Sequence, residues 1–166
     1  MLHMHHLTVM TISTNTETTY AGIVGEITAN CLLTRTRRIS RLITNLYDQT
    51  LRPYGVHAPQ FSLLVLIARL EGASRAEIGR ANYQERSTLT RNLALLLSEG
   101  WVEEIETGKG GRSRPIILTQ AGKDLLSSAA PAWRAAQAKA RHLMGEEGAA
   151  AIVDIADSIA FDDTVE

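Results

Sequence analysis

The chain is poor in cysteine, in aromatic residues and in unbroken apolar runs, and each scarcity removes a class of protein. Cys31 is the one cysteine among 166 residues, so no internal disulfide can form and the fold must stand on its hydrophobic core. No long apolar run with a basic flank and a cleavage site opens the chain, so no membrane span or secretory signal is expected and the protein reads as cytoplasmic. Catalytic and metal-binding constellations are missing too. There is no paired-cysteine motif, no His-Glu-x-x-His, and no recurrent grouping of His, Cys, Ser and acid. The expectation is therefore a protein that is not an enzyme and takes no metal and no cofactor. His3, His5 and His6 stand close together, but without a neighbouring carboxylate or thiolate they do not make a physiological metal site.

A formal net charge of −1 excludes a generally basic nucleic-acid binder, yet the charges are segregated. Residues 30–55 carry five arginines (Arg35, Arg37, Arg38, Arg41, Arg52) against one acid, Asp48, whereas residues 145–166 carry seven acids and no Lys or Arg. The apolar content of 45% in 166 residues suffices for one core with extensions.

Helical periodicity dominates what is present. In "CLLTRTRRISRLITNLY" (31–47), Leu32, Ile39, Leu42, Ile43 and Leu46 share one side of a long amphipathic helix and arginines take the other, with a stop near Pro53 and Gly55. "APQFSLLVLIARL" (58–70) is apolar nearly all round, which places it in the core. "SRAE" is a capping box with Ser74 and Glu77 in reciprocal positions, opening a short helix to about Ala81. After the turn "NYQE" (82–85), Leu89, Leu93 and Leu96 face inward and leave Arg86, Ser87, Thr88, Thr90 and Arg91 on or near the outer side. A short helix, a tight turn and a helix with a cationic, hydroxyl-bearing front is a helix-turn-helix pattern. Arginine grips guanine or phosphate, and small hydroxyls approach base edges without bulk. An ordinary surface helix would read alike on this segment alone.

The next residues separate the two readings. "WVEEIET" (101–107) and "PIILT" (115–119) read as strands around the turn "GKGGRSR" (108–114), a hairpin whose tip carries Lys109, Arg112 and Arg114. A thin cationic hairpin directly after a helix-turn-helix is the wing of a winged helix, and an arginine on it suits the negative potential of a narrow minor groove. A phosphate-binding loop is a poor reading, since no Gly-Lys-Ser/Thr leads into a helix here. A winged helix serving only protein contacts would not need the cationic tip or the set Arg86, Ser87 and Thr88.

With these pieces in place, the chain resembles the MarR-type (multiple antibiotic resistance regulator) winged helix-turn-helix transcriptional regulators, without an internal gap over residues 60–125. "QFSLL" (60–64), "RSTLTR" (86–91), "GWV" (100–102) and "LTQAGK" (118–123) carry the likeness. The resemblance implies a mostly α fold with a small β-hairpin wing and with N- and C-terminal dimerisation helices. It divides the chain into a flexible segment 1–25, an N-terminal helical dimerisation part 26–56, a DNA-binding lobe 57–122 and a C-terminal helical dimerisation part 123–166. The partners it implies are an operator in double-stranded DNA, a second copy in a homodimer, and a small-molecule effector.

Carried over by position, Ser87, Thr88, Thr90 and Arg91 stand where the family's recognition helix meets DNA, and Arg112 where its wing arginine enters the minor groove. The sequence departs from the family at Gly110, where an acid commonly braces the wing, and at Asn82 and Gln84, usually apolar positions of the turn. Leu95 and Leu97 replace usually charged residues and are expected to pack against neighbouring helices. The resemblance also implies repression relieved by an aromatic or acidic ligand bound between dimerisation helices and lobe. Arg37, Arg41, Tyr47, His57 and Trp133 are the candidates to line such a site, and each is more simply explained as cap, solvated charge or core. The alternative is oxidant sensing through Cys31, near the start of the first long helix. The tyrosines that accompany a peroxide-sensing thiol in relatives are missing beside it, so a small buried thiol is the preferred reading.

Overall fold

Helices form where apolar residues recur at helical spacing, and the computed structural model, which describes residues 19–106 and 114–160, carries the expected ones in order and one more before them. They are α1 (Tyr20–Asn30), α2 (Leu32–Leu51), α3 (Ala58–Leu70), α4 (Arg75–Ala81), α5 (Arg86–Ser98) and α6 (Gln120–Ala160), with a short 3-10 turn at Arg52–Tyr54. Strands β1 (Val102–Glu104) and β2 (Ile116–Leu118) form one antiparallel pair in the register Val102 to Leu118, Glu103 to Ile117 and Glu104 to Ile116. The fold is mostly α with a small hairpin. Among the described residues no helix is long and apolar enough to cross a membrane.

The chain divides into two units, Met1–Arg38 and Ile39–Glu166. In the first, Thr19 opens α1 by accepting a hydrogen bond from the Gly22 N–H at 3.2 Å. Helix α1 corrects the expectation of a flexible segment through residue 25. Thr19 supplies a cap, and Ile23, Val24 and Ile27 give the segment a helical apolar repeat that the Thr-rich run before it lacks. Residues 1–18, with His3, His5 and His6, lie outside the described residues. Cys31 closes α1 in an extended conformation (φ −67°, ψ 111°), so the long amphipathic helix begins at Leu32.

The core of the second unit lies under the helix-turn-helix. Leu63, Leu64 and Ile67 of α3, Ile78 of α4, Leu89, Leu93 and Leu96 of α5, and Val102, Ile116 and Leu118 of the hairpin are buried together. A smaller cluster joins Leu51, Val56, Phe61 and Ala129, and Trp101 packs against both. The expectation for Leu95 and Leu97 divides. Leu97 packs on the core, but Leu95 is 40% exposed, because it follows Leu93 and precedes Leu96 on the helix and so turns away from the face they bury.

Local polar contacts explain several of the sequence motifs. Gln60 is buried because its Oε1 accepts the His57 N–H at 3.0 Å, which ties down an N–H just ahead of α3. The Ser74–Glu77 capping box is present, with Ser74 N–H donating to the Glu77 carboxylate at 2.7 Å and Glu77 N–H to Ser74 Oγ at 3.3 Å. The side-chain hydrogen bond from Ser74 holds the Glu77 carboxyl below its ordinary range. In "LTQAGK", Thr119 Oγ1 donates to the Gly100 carbonyl at 2.6 Å and accepts from the Gly122 N–H at 3.2 Å.

Gly122 is required where it stands, since a Cβ there would collide with the Trp101 carbonyl and press on Leu118. The obstacle is backbone, which cannot rotate away. Gly122→Ala is expected to destabilise the lobe by about 1–3 kcal/mol, the usual cost of overpacking. Urea denaturation of the two proteins measures it, and equal midpoints would mean that the 100–122 junction tolerates a shift.

Gly145 (φ 72°, ψ 158°) interrupts α6, which is therefore two helices meeting at a bend. A left-handed φ is one that glycine alone adopts without strain.

Candidate nucleic-acid interface

Helix α4 docks closely on α5 at Gly79, where a Cβ would stand 3.2 Å from Leu89 Cδ2, tighter than an ordinary contact. Between the helices the backbone is tied turn by turn. Asn82 N–H donates to Ile78 O at 3.0 Å, Tyr83 N–H to Arg80 O at 3.1 Å, and Gln84 N–H to Gly79 O at 3.1 Å. Tyr83 takes a left-handed conformation (φ 46°) to make this reversal. Asn82 and Gln84, the polar departures from the family pattern, bond to each other through Asn82 Nδ2 and Gln84 Oε1 at 3.1 Å.

Burial of Leu89, Leu93 and Leu96 fixes the rotation of α5 and turns Arg86, Ser87, Thr90 and Arg91 to solvent, with Thr88 half-buried. Thr90 is exposed, and its hydroxyl donates to the Arg86 carbonyl at 2.7 Å. Glu85 precedes the helix without a side-chain cap. The N–H groups of the first turn therefore stay open to an acceptor. The exposed front of α5 combines cations, hydroxyls and backbone donors, the chemistry that phosphates and base edges accept.

Of the wing residues singled out in the sequence, Lys109 and Arg112 lie outside the described residues, as does Gly110. Arg114 is found at the base of the hairpin. Its guanidinium stands 3.9 Å from Glu104 and 3.5 Å from Glu106. Glu104 also receives Arg75 of α4, through Nε at 2.9 Å and Nη2 at 2.6 Å. Arg75 and Glu104 thus tie α4 to β1 across 29 residues of sequence, a link that helical or strand periodicity does not encode. Here the hairpin base carries a brace of its own, whatever stands at position 110.

The proposed effector residues meet different surroundings. Arg41 is exposed and Trp133 is 39% exposed. His57 Nδ1 lies 3.6 Å from Asp48, whose carboxylate also accepts the Ala58 N–H at 2.6 Å at the start of α3. The Tyr47 hydroxyl bonds Gln137, and partial burial raises its pKa. For His57 and Tyr47 these contacts are capping and packing roles, the simpler explanation that the sequence favours. A cavity of about 520 Å3 does open between α3, β2 and α6, lined instead by Ile67, Leu118 and Leu126 with Glu71 and Lys123 at its polar side. Sequence spacing gave no sign of it, since its residues come from three separated segments.

Cys31 is half-buried in the single chain, which corrects the expectation of a buried thiol. A hydrogen bond from Thr34 Oγ1 to Sγ at 3.3 Å is the main cause of a thiol pKa below the ordinary value. It sits at a break between helices, so it is not enclosed as a mid-helix residue on a packed face would be.

Residues 54–113 match the MarR family. The chain is 27% identical over 89 residues to an uncharacterized HTH-type transcriptional regulator, YwoH, of Bacillus subtilis (strain 168), an overlap of 54% of this chain that spans 64% of the length of that relative. The transcriptional regulator MosR of M. tuberculosis is 31% identical, with 78% of this chain and 96% of that one superposed at a TM-score of 0.64. The transcriptional repressor CouR bound to a 23-mer DNA duplex is 21% identical and superposes over 82% of this chain and 96% of that one at 0.70. CouR from Rhodococcus jostii RHA1 bound to p-coumaroyl-CoA superposes over 83% and 97% at 0.67 with the same 21% identity. CouR shares the fold, and MosR, matched nearly end to end at higher identity, shares more than the fold. A helix-turn-helix with an exposed cationic front, a braced hairpin after it, the family match from the start of the lobe through β1 and the likeness to MosR together place this chain in the MarR family of winged helix-turn-helix transcriptional regulators.

Proposed function

We propose that the chain is a sequence-specific repressor that binds a pseudo-palindromic operator in double-stranded DNA as a homodimer and is released by a small aromatic or acidic ligand. The observation that carries the reading is the exposed row Arg86, Ser87, Thr90 and Arg91 held over three buried leucines of α5. CouR, which shares the fold, is a repressor bound to DNA in one structure and to p-coumaroyl-CoA in another. The proposed role involves no catalysis.

Two exposed apolar surfaces support dimerisation. Leu32 (76% exposed), Ile39 and Leu42 lie open on one side of α2, and Ile152, Val153 and Ile155 on α6 beyond its bend. A second copy covering such surfaces removes them from water. Ligand control is supported by the cavity between α3, β2 and α6, where Lys123 offers a cation to a carboxylate or phosphate above apolar walls. It is adopted over oxidant control because Cys31 is the one cysteine in the chain, so no second thiol of the same chain can trap an oxidised sulfur as a disulfide.

A gel shift on the DNA flanking its own gene, run beside a scrambled duplex of equal length, tests the reading. Retardation of the flanking DNA alone is expected, at protein concentrations where light scattering reports a dimer. Equal retardation of both duplexes would remove sequence specificity from the proposal.

A further inference from the structure

The cavity of about 520 Å3 lies where α3 ends, β2 passes and α6 begins, and it has the size of a small-molecule site. Ile67 and Leu118, which are buried, and Ile117 and Leu126, which are half-buried, give it an apolar lining. Glu71 and Lys123 are the charged residues among those that line it. Both are exposed, and neither makes an ion pair within 4 Å among the described residues. One cavity thus presents a carboxylate and an ammonium group that do not pair with each other.

Glu71 holds a left-handed backbone (φ 46°) at the end of α3, with its N–H on the Ile67 carbonyl at 3.2 Å. Glycine closes a helix in this way with less strain, so the turn itself gives no reason for a glutamate. The carboxylate beside the cavity does. The residues that follow are seated on the hairpin, since the Ile116 N–H donates to the Ala73 carbonyl at 3.0 Å. Lys123 stands in the first turn of α6. The two charges therefore belong to different elements, one on the lobe and one on the long helix.

We propose that this cavity takes an aromatic ampholyte of zero net charge, with its ammonium group toward Glu71, its carboxylate toward Lys123 and its ring against Ile117 and Leu126. Such a site rests on the ligand-controlled reading and gives its ligand a chemical class. A purely anionic ligand pairs with Lys123 but leaves its apolar body beside the Glu71 carboxylate, and a purely cationic one meets Lys123 as a like charge. Selectivity comes from those repulsive contacts as much as from the attractive ones. A molecule held at both charges ties α6 to the turn between α3 and α4, and so favours one setting of the lobe on the long helix over others.

The test titrates protein labelled at its Ile and Leu methyl groups with free tryptophan, tryptamine and indole-3-propionate, which share one ring system and carry both charges, the cation alone and the anion alone. Free tryptophan should saturate methyl shifts at Ile117, Leu118 and Leu126 with about tenfold higher affinity than either of the others, the usual contribution of one hydrogen bond to a charged group. Glu71→Gln should bring indole-3-propionate level with tryptophan, and Lys123→Gln should bring tryptamine level with it. A merely structural role of either residue would not give this crossed pattern. Equal affinities for the three in the parent overturn the proposal, as do shifts centred on Leu89 and Leu93 or a failure of free tryptophan to saturate. If the crossed pattern appears while tryptophan leaves operator retardation unchanged, the site stands and ligand-controlled release falls.

Discussion

Arg86→Ala combined with Arg91→Ala should weaken operator binding on the order of a hundredfold, since two hydrogen bonds to charged groups contribute about 1.5 kcal/mol each. Both side chains are exposed and pair with no acid within 4 Å among the described residues, so the thermal midpoint should stay close to that of the parent. The salt dependence identifies the mechanism. If both arginines neutralise phosphates, the log–log slope of affinity against salt should flatten by about two units in the double variant. Ser87→Ala and Thr88→Ala should instead change which bases are preferred and leave the slope alone. A double variant that keeps the parent's slope and changes only base preference would reverse these roles.

Leu93→Ala should be the most damaging single truncation in the lobe. Leu93 has no exposed surface and lies among Leu63, Leu64, Ile67, Ile78, Leu89 and Leu96. Emptying such a site costs about 2–5 kcal/mol, a large share of the roughly 5–15 kcal/mol by which a domain is stable. Leu95→Ala, two residues away, removes a side chain that is 40% exposed and should change stability by no more than about 0.5 kcal/mol. Urea titration of both variants at one protein concentration makes the comparison. A Leu95 variant as unstable as the Leu93 variant would show that Leu95 is covered in the assembled protein.

The contrast between these leucines also marks how far the sequence could be read. Leu89, Leu93 and Leu96 repeat at helical spacing, and that repeat alone places Arg86, Ser87, Thr90 and Arg91 outward, as observed. Ser74 and Glu77 announce their cap because the motif is local and its two hydrogen bonds close within one turn. The hairpin was legible from its glycine-rich turn. Leu95 departs from the expected packing because an apolar residue in place of a charged one suggests burial, whereas the helix angle at position 95 points away from the core. Helix α1 is hard to see in the sequence because its apolar residues follow a Thr-rich run with no strong signal, and the break at Cys31 has neither Gly nor Pro to mark it.

Contacts between distant segments were beyond reach for a different reason. The Arg75–Glu104 pair joins residues 29 apart, and the Tyr83–Ile159 contact joins residues 76 apart. Neither pairing is implied by the residue types, which occur on many surfaces. Tyr47 and His57 likewise find partners, Gln137 and Asp48, that their spacing does not announce. Residue type suggested what these side chains can bind, but only the tertiary arrangement decides which neighbours satisfy them.

Hydroxyl-radical footprinting of the protein on the DNA flanking its own gene tests the central claim most directly. Two copies of α5 in successive major grooves, carried by one dimer, should protect two symmetric patches whose centres lie about ten base pairs, or a multiple of that, apart. Protection of a single patch, or of none at concentrations that saturate the gel shift, would contradict an operator-binding dimer.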